Sequence, residues 1–164
     1  MYEAPKNRVF SPSVLPPRLK TILLARVLRH DAHLGMTTLF FADGELRVPR
    51  VDLPEGAAVK ARIEARDVSV ALSRPMDVSI LNRLPGEIAE LEFLTPPYVR
   101  AAFDLGQTRL NALVTRESVE RLALVPGLKA WAMIKAVAIS DLSQDRAPQP
   151  RPWPSDRRTS RERP

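Results

Sequence analysis

The chain has 164 residues, with 45% apolar and 5% aromatic side chains and no cysteine. That length buries one modest core or two very small ones, and the missing cysteines exclude a disulfide framework, a thiol nucleophile and a cysteine-ligated zinc site. A formal charge of +6 would suit nucleic acid or a membrane surface if it sat on a folded face; residues 1–20 carry +3, residues 141–164 carry +2 and residues 21–140 only +1, so the basicity belongs to the ends.

The apolar runs are strand-sized, well short of the ~20 residues of a membrane span. Met1-Tyr2-Glu3-Ala4-Pro5 has none of the apolar character of a secretory leader, so a cytoplasmic location is expected. Nine of the 16 prolines fall in residues 1–20 and 141–164. Proline removes backbone donors, and these segments hold too few apolar side chains to offset ordering entropy. Both ends are therefore expected to be disordered, with Trp153 the one tail residue suited to docking. The folded part is expected between residues 21 and 140.

Within it, period-two patterning interrupted by turn residues predicts many short strands. Ile22–Arg29 and Met36–Phe41 read as strands, joined through a turn at 30–35. A hairpin follows at Ala42-Asp43-Gly44-Glu45, where Asp-Gly tolerates the positive φ of a tight reversal. Leu46–Val48 pairs back, Leu53-Pro54-Glu55-Gly56 turns, and Ala58–Leu72 supplies one longer or two shorter strands. Ile80–Leu94 begins the same order again: Tyr98–Leu105 and Thr108–Val114 form a second hairpin, Thr115–Leu124 is a short helix with Thr115 as N-cap, and Lys129–Ile139 closes the fold. Placing Val59–Ala65 over Ala130–Ala136 aligns two strands, each shortly after a turn ending in glycine, Gly56 and Gly127. The expected fold is all-β: two small OB-like barrels in tandem, each of about five strands, with one short helix in the second. The expected divisions are 1–20, 21–76, 77–140 and 141–164.

Two strings are more specific. Ser79-Ile80-Leu81-Asn82-Arg83-Leu84-Pro85-Gly86 and Ala130-Trp131-Ala132-Met133-Ile134-Lys135-Ala136-Val137, with Leu124-x-Pro126-Gly127 between them, resemble the opening and closing strands of a Mop-type oxyanion-binding unit. Upstream, Arg66-Asp67-Val68 resembles the TOBE regions of importer ATPases. From about residue 22 to 139 the chain is similar to the C-terminal regulatory region of a molybdate ABC importer ATP-binding subunit, without the ATPase domain. The resemblance implies binding of molybdate or tungstate by a regulatory, sensing or storage module linked to molybdate import. It implies no cofactor, and a homo-oligomer or association with importer subunits, so that any membrane location would be the inner face, reached through a transporter. The alternative is a structural or dimerisation TOBE module that has lost oxyanion binding.

A tetrahedral dianion accepts hydrogen bonds only, so its site needs donors from several directions and positive charge. The resemblance assigns Ser79 a hydroxyl and an amide, Ile80 and Leu81 amides, Asn82 its side-chain amide and Lys135 the charge, with Thr115 and Ala136 at further contact positions. The family string usually has arginine where this chain has Leu81, and Arg83, on the same strand face, is a candidate substitute.

Plainer readings exist for the same residues. Ser79 and Asn82 suit a turn after Pro75, Gly86 a strand irregularity beside Pro85, and Lys135 a solvated strand position. His30, Asp31 and His33 read as exposed polar residues of a turn rather than metal ligands. An enzyme is not expected: the sequence holds no G-x-x-x-x-G-K-[ST] loop and no nucleophile elbow. An OB-type nucleic-acid binder would need a basic face lined with aromatics, which the pattern does not supply.

Overall fold

A computed structural model describes residues 9–144. It contains two five-stranded antiparallel sheets. The first half provides β1 (Lys20–Asp31), β2 (Met36–Phe41), β3 (Gly44–Pro49), β4 (Ala58–Glu64) and, after a 3-10 turn at Ala65–Asp67, β5 (Val68–Ala71). The second provides β6 (Asn82–Phe93), β7 (Tyr98–Asp104), β8 (Arg109–Thr115), helix α1 (Arg116–Leu122), β9 (Lys129–Ile134) and, after a 3-10 turn at Ala136–Ala138, β10 (Asp141–Gln144). The architecture is that of two tandem OB-like units.

The two halves repeat each other closely. β1 and β6 each shift register at one place, between Val27 and Arg29 and between Ile88 and Glu90. At each shift a glycine N–H donates to the strand, Gly56 to Val27 O (2.8 Å) and Gly127 to Ile88 O (2.7 Å), while Val27 N–H and Ile88 N–H donate to Ala57 O and Leu128 O. Both glycines have positive φ, 84° and 89°, where a side chain is disfavoured. Core residues match in the same way: Leu23, Val27, Leu39, Leu46 and Ile63 correspond to Leu84, Ile88, Phe103, Leu110 and Ile134, all buried and all in one continuous cluster. The period of two arises because alternate side chains of each strand face this cluster.

The sheets do not divide at the halves. The order is β10-β4-β1-β2-β3 in one and β5-β9-β6-β7-β8 in the other, so each half sends its last strand into the other's sheet. Residues 68–71, expected at the end of the first unit, pair with β9 through Val68↔Ile134 and Val70↔Ala132. Residues 141–144, expected in a disordered tail, pair with β4 through Asp141↔Arg62 and Leu142↔Ala61. The predicted strand Lys129–Ile139 ends at Ile134, because the 3-10 turn redirects the chain between sheets.

Other expectations are refined. The described part of the N-terminal segment is tied down: Tyr98 Oη donates to Val14 O (2.8 Å), and Ala65 N–H to Leu19 O (2.8 Å). The expected disorder of 1–8 and 145–164, and the docking of Trp153, lie outside the described residues. His30 is half-buried, bridging Thr37 Oγ1 (2.9 Å) and Leu53 O (2.7 Å). Gly86 is in regular register opposite Ala130; a Cβ there would lie 2.7 Å from Asp104 O, so close backbone approach, not irregularity, explains it.

The hairpin tips also meet. Asp43, in the β2–β3 turn, accepts from Gln107 N–H (2.8 Å) and Thr108 N–H (2.7 Å) in the β7–β8 turn. Hydrogen bonding from the Thr108 side chain, then from the Gln107 amide, holds the Asp43 carboxyl below its ordinary value of 3.8. A depressed folded-state pKa contributes stability above the unfolded value, and that stability is lost as pH falls through the folded value. Asp43→Asn is therefore expected to lower the urea midpoint near neutral pH, with the gap to the parent closing below about pH 4. A gap that stays constant into acid would show that the Asp43 charge does not link the hairpins.

Candidate functional site

The opening segment of the second unit runs from Ser79 into β6, and the closing segment from β9 through Lys135 into the 3-10 turn. Antiparallel pairing of β6 with β9, Asn82 opposite Ile134 and Arg83 opposite Met133, brings these two ends side by side. A cavity of about 220 Å³ opens there, lined by Ile80, Met133, Lys135 and Ala138 from the second half and by Arg66, Asp67 and Ser69 from the first. That is room enough for a tetrahedral oxyanion. A second cavity, about 290 Å³, shares Arg66 and Ser69 and adds Thr115, Ser118 and the apolar wall of β8 and α1.

Of the residues predicted from sequence, the structure brings Ile80 and Lys135 together in the first cavity and sets Thr115 in the second. Ser79 and Leu81 are exposed on the linker and line neither cavity; Ala136 is buried in the 3-10 turn. Thr115 caps α1, its Oγ1 accepting from Ser118 N–H at 3.1 Å with the two hydroxyls 3.0 Å apart.

Asn82 corrects the expectation made for it. Its side chain is 3% exposed; Oδ1 accepts from Arg47 N–H (2.7 Å) and Nδ2 donates to Arg47 O (2.9 Å). These two bonds clamp the start of β6 to β3, and Asn82 lines neither cavity. The first half has the corresponding contact, where Asn111 N–H on β8 donates to Thr21 Oγ1 (3.0 Å) at the start of β1. Arg83, the candidate substitute for the missing arginine, donates to Pro75 O (2.8 Å) and pins the linker.

Sequence reasoning missed Arg66 and Ser69 as lining residues. Both precede the second unit in sequence, and only the crossing of β5 into the second sheet carries them to the cavity. Among the described residues, the side chains of Arg66, Ser69 and Lys135 make no hydrogen bond or ion pair. The cavity thus offers two cationic groups and a hydroxyl without protein partners, beside one carboxylate, Asp67. Arginine and lysine donors with a hydroxyl are suited to hold an oxyanion.

Comparison with known proteins gives three findings. Residues 78–140 match the TOBE domain. The chain is 40% identical over 117 residues to the molybdenum import ATP-binding protein ModC of Mesorhizobium japonicum, covering 71% of this chain and 32% of the relative. It is 39% identical over 127 residues to ModC 2 of Azotobacter vinelandii, covering 77% and 36%. The chain spans about a third of the length of the curated relatives it matches. A solved structure of the cytoplasmic molybdate-binding protein ModG with molybdate bound superposes with a TM-score of 0.67 at 23% identity, covering 76% of this chain and 95% of that one; that likeness is one of fold.

The Asn82 clamp generates a stability prediction. Asn82→Ala strips partners from the Arg47 amide and carbonyl, and an unmet buried polar group costs about 1–3 kcal/mol. Urea unfolding is expected to show a loss in that range, and a change within ~0.5 kcal/mol, the scatter of neutral surface substitutions, would contradict the clamp.

Proposed function

We infer that this chain, whose residues 78–140 form a TOBE domain, binds a tetrahedral oxyanion, molybdate or tungstate, and catalyses no reaction. The observation that carries the reading is the cavity where the opening and closing segments of that domain meet, with Lys135 and Ile80 on its wall. Support comes from the ModC relatives, which are molybdenum import proteins, and from the shared fold with a protein solved with molybdate bound.

In this reading Lys135 supplies charge, amides of the Ser79–Leu81 segment supply donors along the linker, and Thr115 with Ala136 supplies further contacts from the α1 end and the 3-10 turn. No metal or cofactor takes part. The module acts in the cytoplasm as a regulatory, sensing or storage element of molybdate import, reaching the inner face of the membrane only through a transporter. Among the described residues no helix is long and apolar enough to cross a membrane.

Leu72, Met76, Val78, Leu81 and Val137 are exposed apolar side chains on the linker and closing turn. Such exposed side chains suit a second copy of the chain or an importer subunit, so binding and association are coupled in this reading. The same observation favours a second reading. With Leu81 in place of the family arginine and these apolar side chains exposed, the module would serve only to dimerise or to contact transporter subunits.

Thermal unfolding at fixed ionic strength, with millimolar molybdate, tungstate, sulfate or phosphate, separates the two. A ligand at a hundred times its dissociation constant adds about 2.7 kcal/mol, so the expected outcome is a melting temperature raised by several degrees with molybdate and tungstate only. No rise with any of the four anions would overturn oxyanion binding and leave the association module.

A further inference from the structure

We propose that Arg66, delivered from the first half by the crossing strand, is an oxyanion-binding residue and supplies the second positive charge that position 81 lacks; this rests on the oxyanion reading above. The 3-10 turn Ala65–Asp67 connects β4 of the first sheet to β5 of the second. Because β5 lies against β9, with Val68 opposite Ile134, the residues just before β5 lie beside those just after β9. Arg66 therefore reaches the same 220 Å³ cavity as Lys135, although 69 positions separate them in sequence.

Three observations single Arg66 out. Its guanidinium has no hydrogen-bond or ion-pair partner among the described residues, whereas Arg83 is spent on Pro75 O and Arg47 donates to Thr38 Oγ1. It lines both cavities, together with Ser69, so it stands between the Lys135 group and the hydroxyls of Thr115 and Ser118. The internal repeat also does not duplicate the pair. In the alignment of the two halves Lys135 corresponds to Glu64 and Arg66 to Val137. A structural requirement of the crossover would act on both connections, yet only one carries a cation at this position.

Asp67 is the counter-argument, since its carboxylate also lines the cavity. One carboxylate cannot neutralise two cations, and a single cation beside Asp67 would leave no net charge for a dianion. Arg66 and Lys135 together leave a surplus of one positive charge. An arginine adds a planar fork of donors matched to two oxygens of one anion, which lysine cannot imitate.

The test is calorimetric titration of the full chain with sodium molybdate, using the parent, Arg66→Gln, Arg66→Lys and Lys135→Gln, with the melting temperature of each unliganded protein alongside. Losing a charge-assisted donor weakens binding by about ten- to a hundredfold. Arg66→Gln and Lys135→Gln are both expected to lose affinity by that factor, Arg66→Lys by less, with unliganded melting temperatures close to the parent's. Parent-like affinity in Arg66→Gln, with Lys135→Gln impaired, would overturn the role of Arg66 and leave the oxyanion site standing. A parent that binds no molybdate overturns both. An Arg66→Gln variant whose loss of affinity comes with a fall in its unliganded melting temperature, with Arg66→Lys restoring both to the parent's values, would make Arg66 a structural residue and overturn the proposal.

Discussion

The exchange of terminal strands between the two sheets constrains everything else in this molecule. β5 leaves the first half to pair with β9, and β10 leaves the second to pair with β4. Neither five-stranded sheet is complete without the other half of the chain, and the buried residues of both form a single cluster. Each half alone has about 60 residues, a size at which buried area is marginal for independent stability. Sharing a core and two exchanged strands gives both halves a larger common interior.

The contacts that lock this exchange come in matched sets. At the start of each half's first strand, Thr21 and Asn82 reach across to the third strand of the other half, at Asn111 and Arg47. The two hairpin tips join through Asp43. Duplication accounts for the pairing and divergence for the chemistry: a hydroxyl accepts one bond where the asparagine amide makes two, and Glu64 stands where the other half has Lys135. The internal repeat therefore builds a symmetric frame on which one side only has kept a cationic cavity.

Much of the frame was legible from the sequence because its signals are local. Alternation fixed β1, β2 and the β6–β8 meander, Asp43-Gly44 marked the first hairpin, and Thr115 capped α1 where its hydroxyl predicted. The overshoot of the last strand has a physical reason: Lys135-Ala136-Val137-Ala138-Ile139 continues an apolar alternation without glycine or proline, so nothing local announces the 3-10 turn that ends pairing at Ile134. The same silence hid the turn at Ala65–Asp67. Asn82 was misread for a different reason: its partner, Arg47, lies 35 residues away on another strand, and a buried asparagine satisfied by backbone has no sequence signature. Arg66 was invisible as a site residue because its position depends on which sheet β5 joins.

That dependence links binding to folding. Lys135 follows β9, and Arg66 precedes the strand that pairs with it, so the crossover brings both to one cavity. An oxyanion there would act on the topology itself, stabilising the exchanged state by the free energy of binding and drawing the two halves together at the point where they interpenetrate.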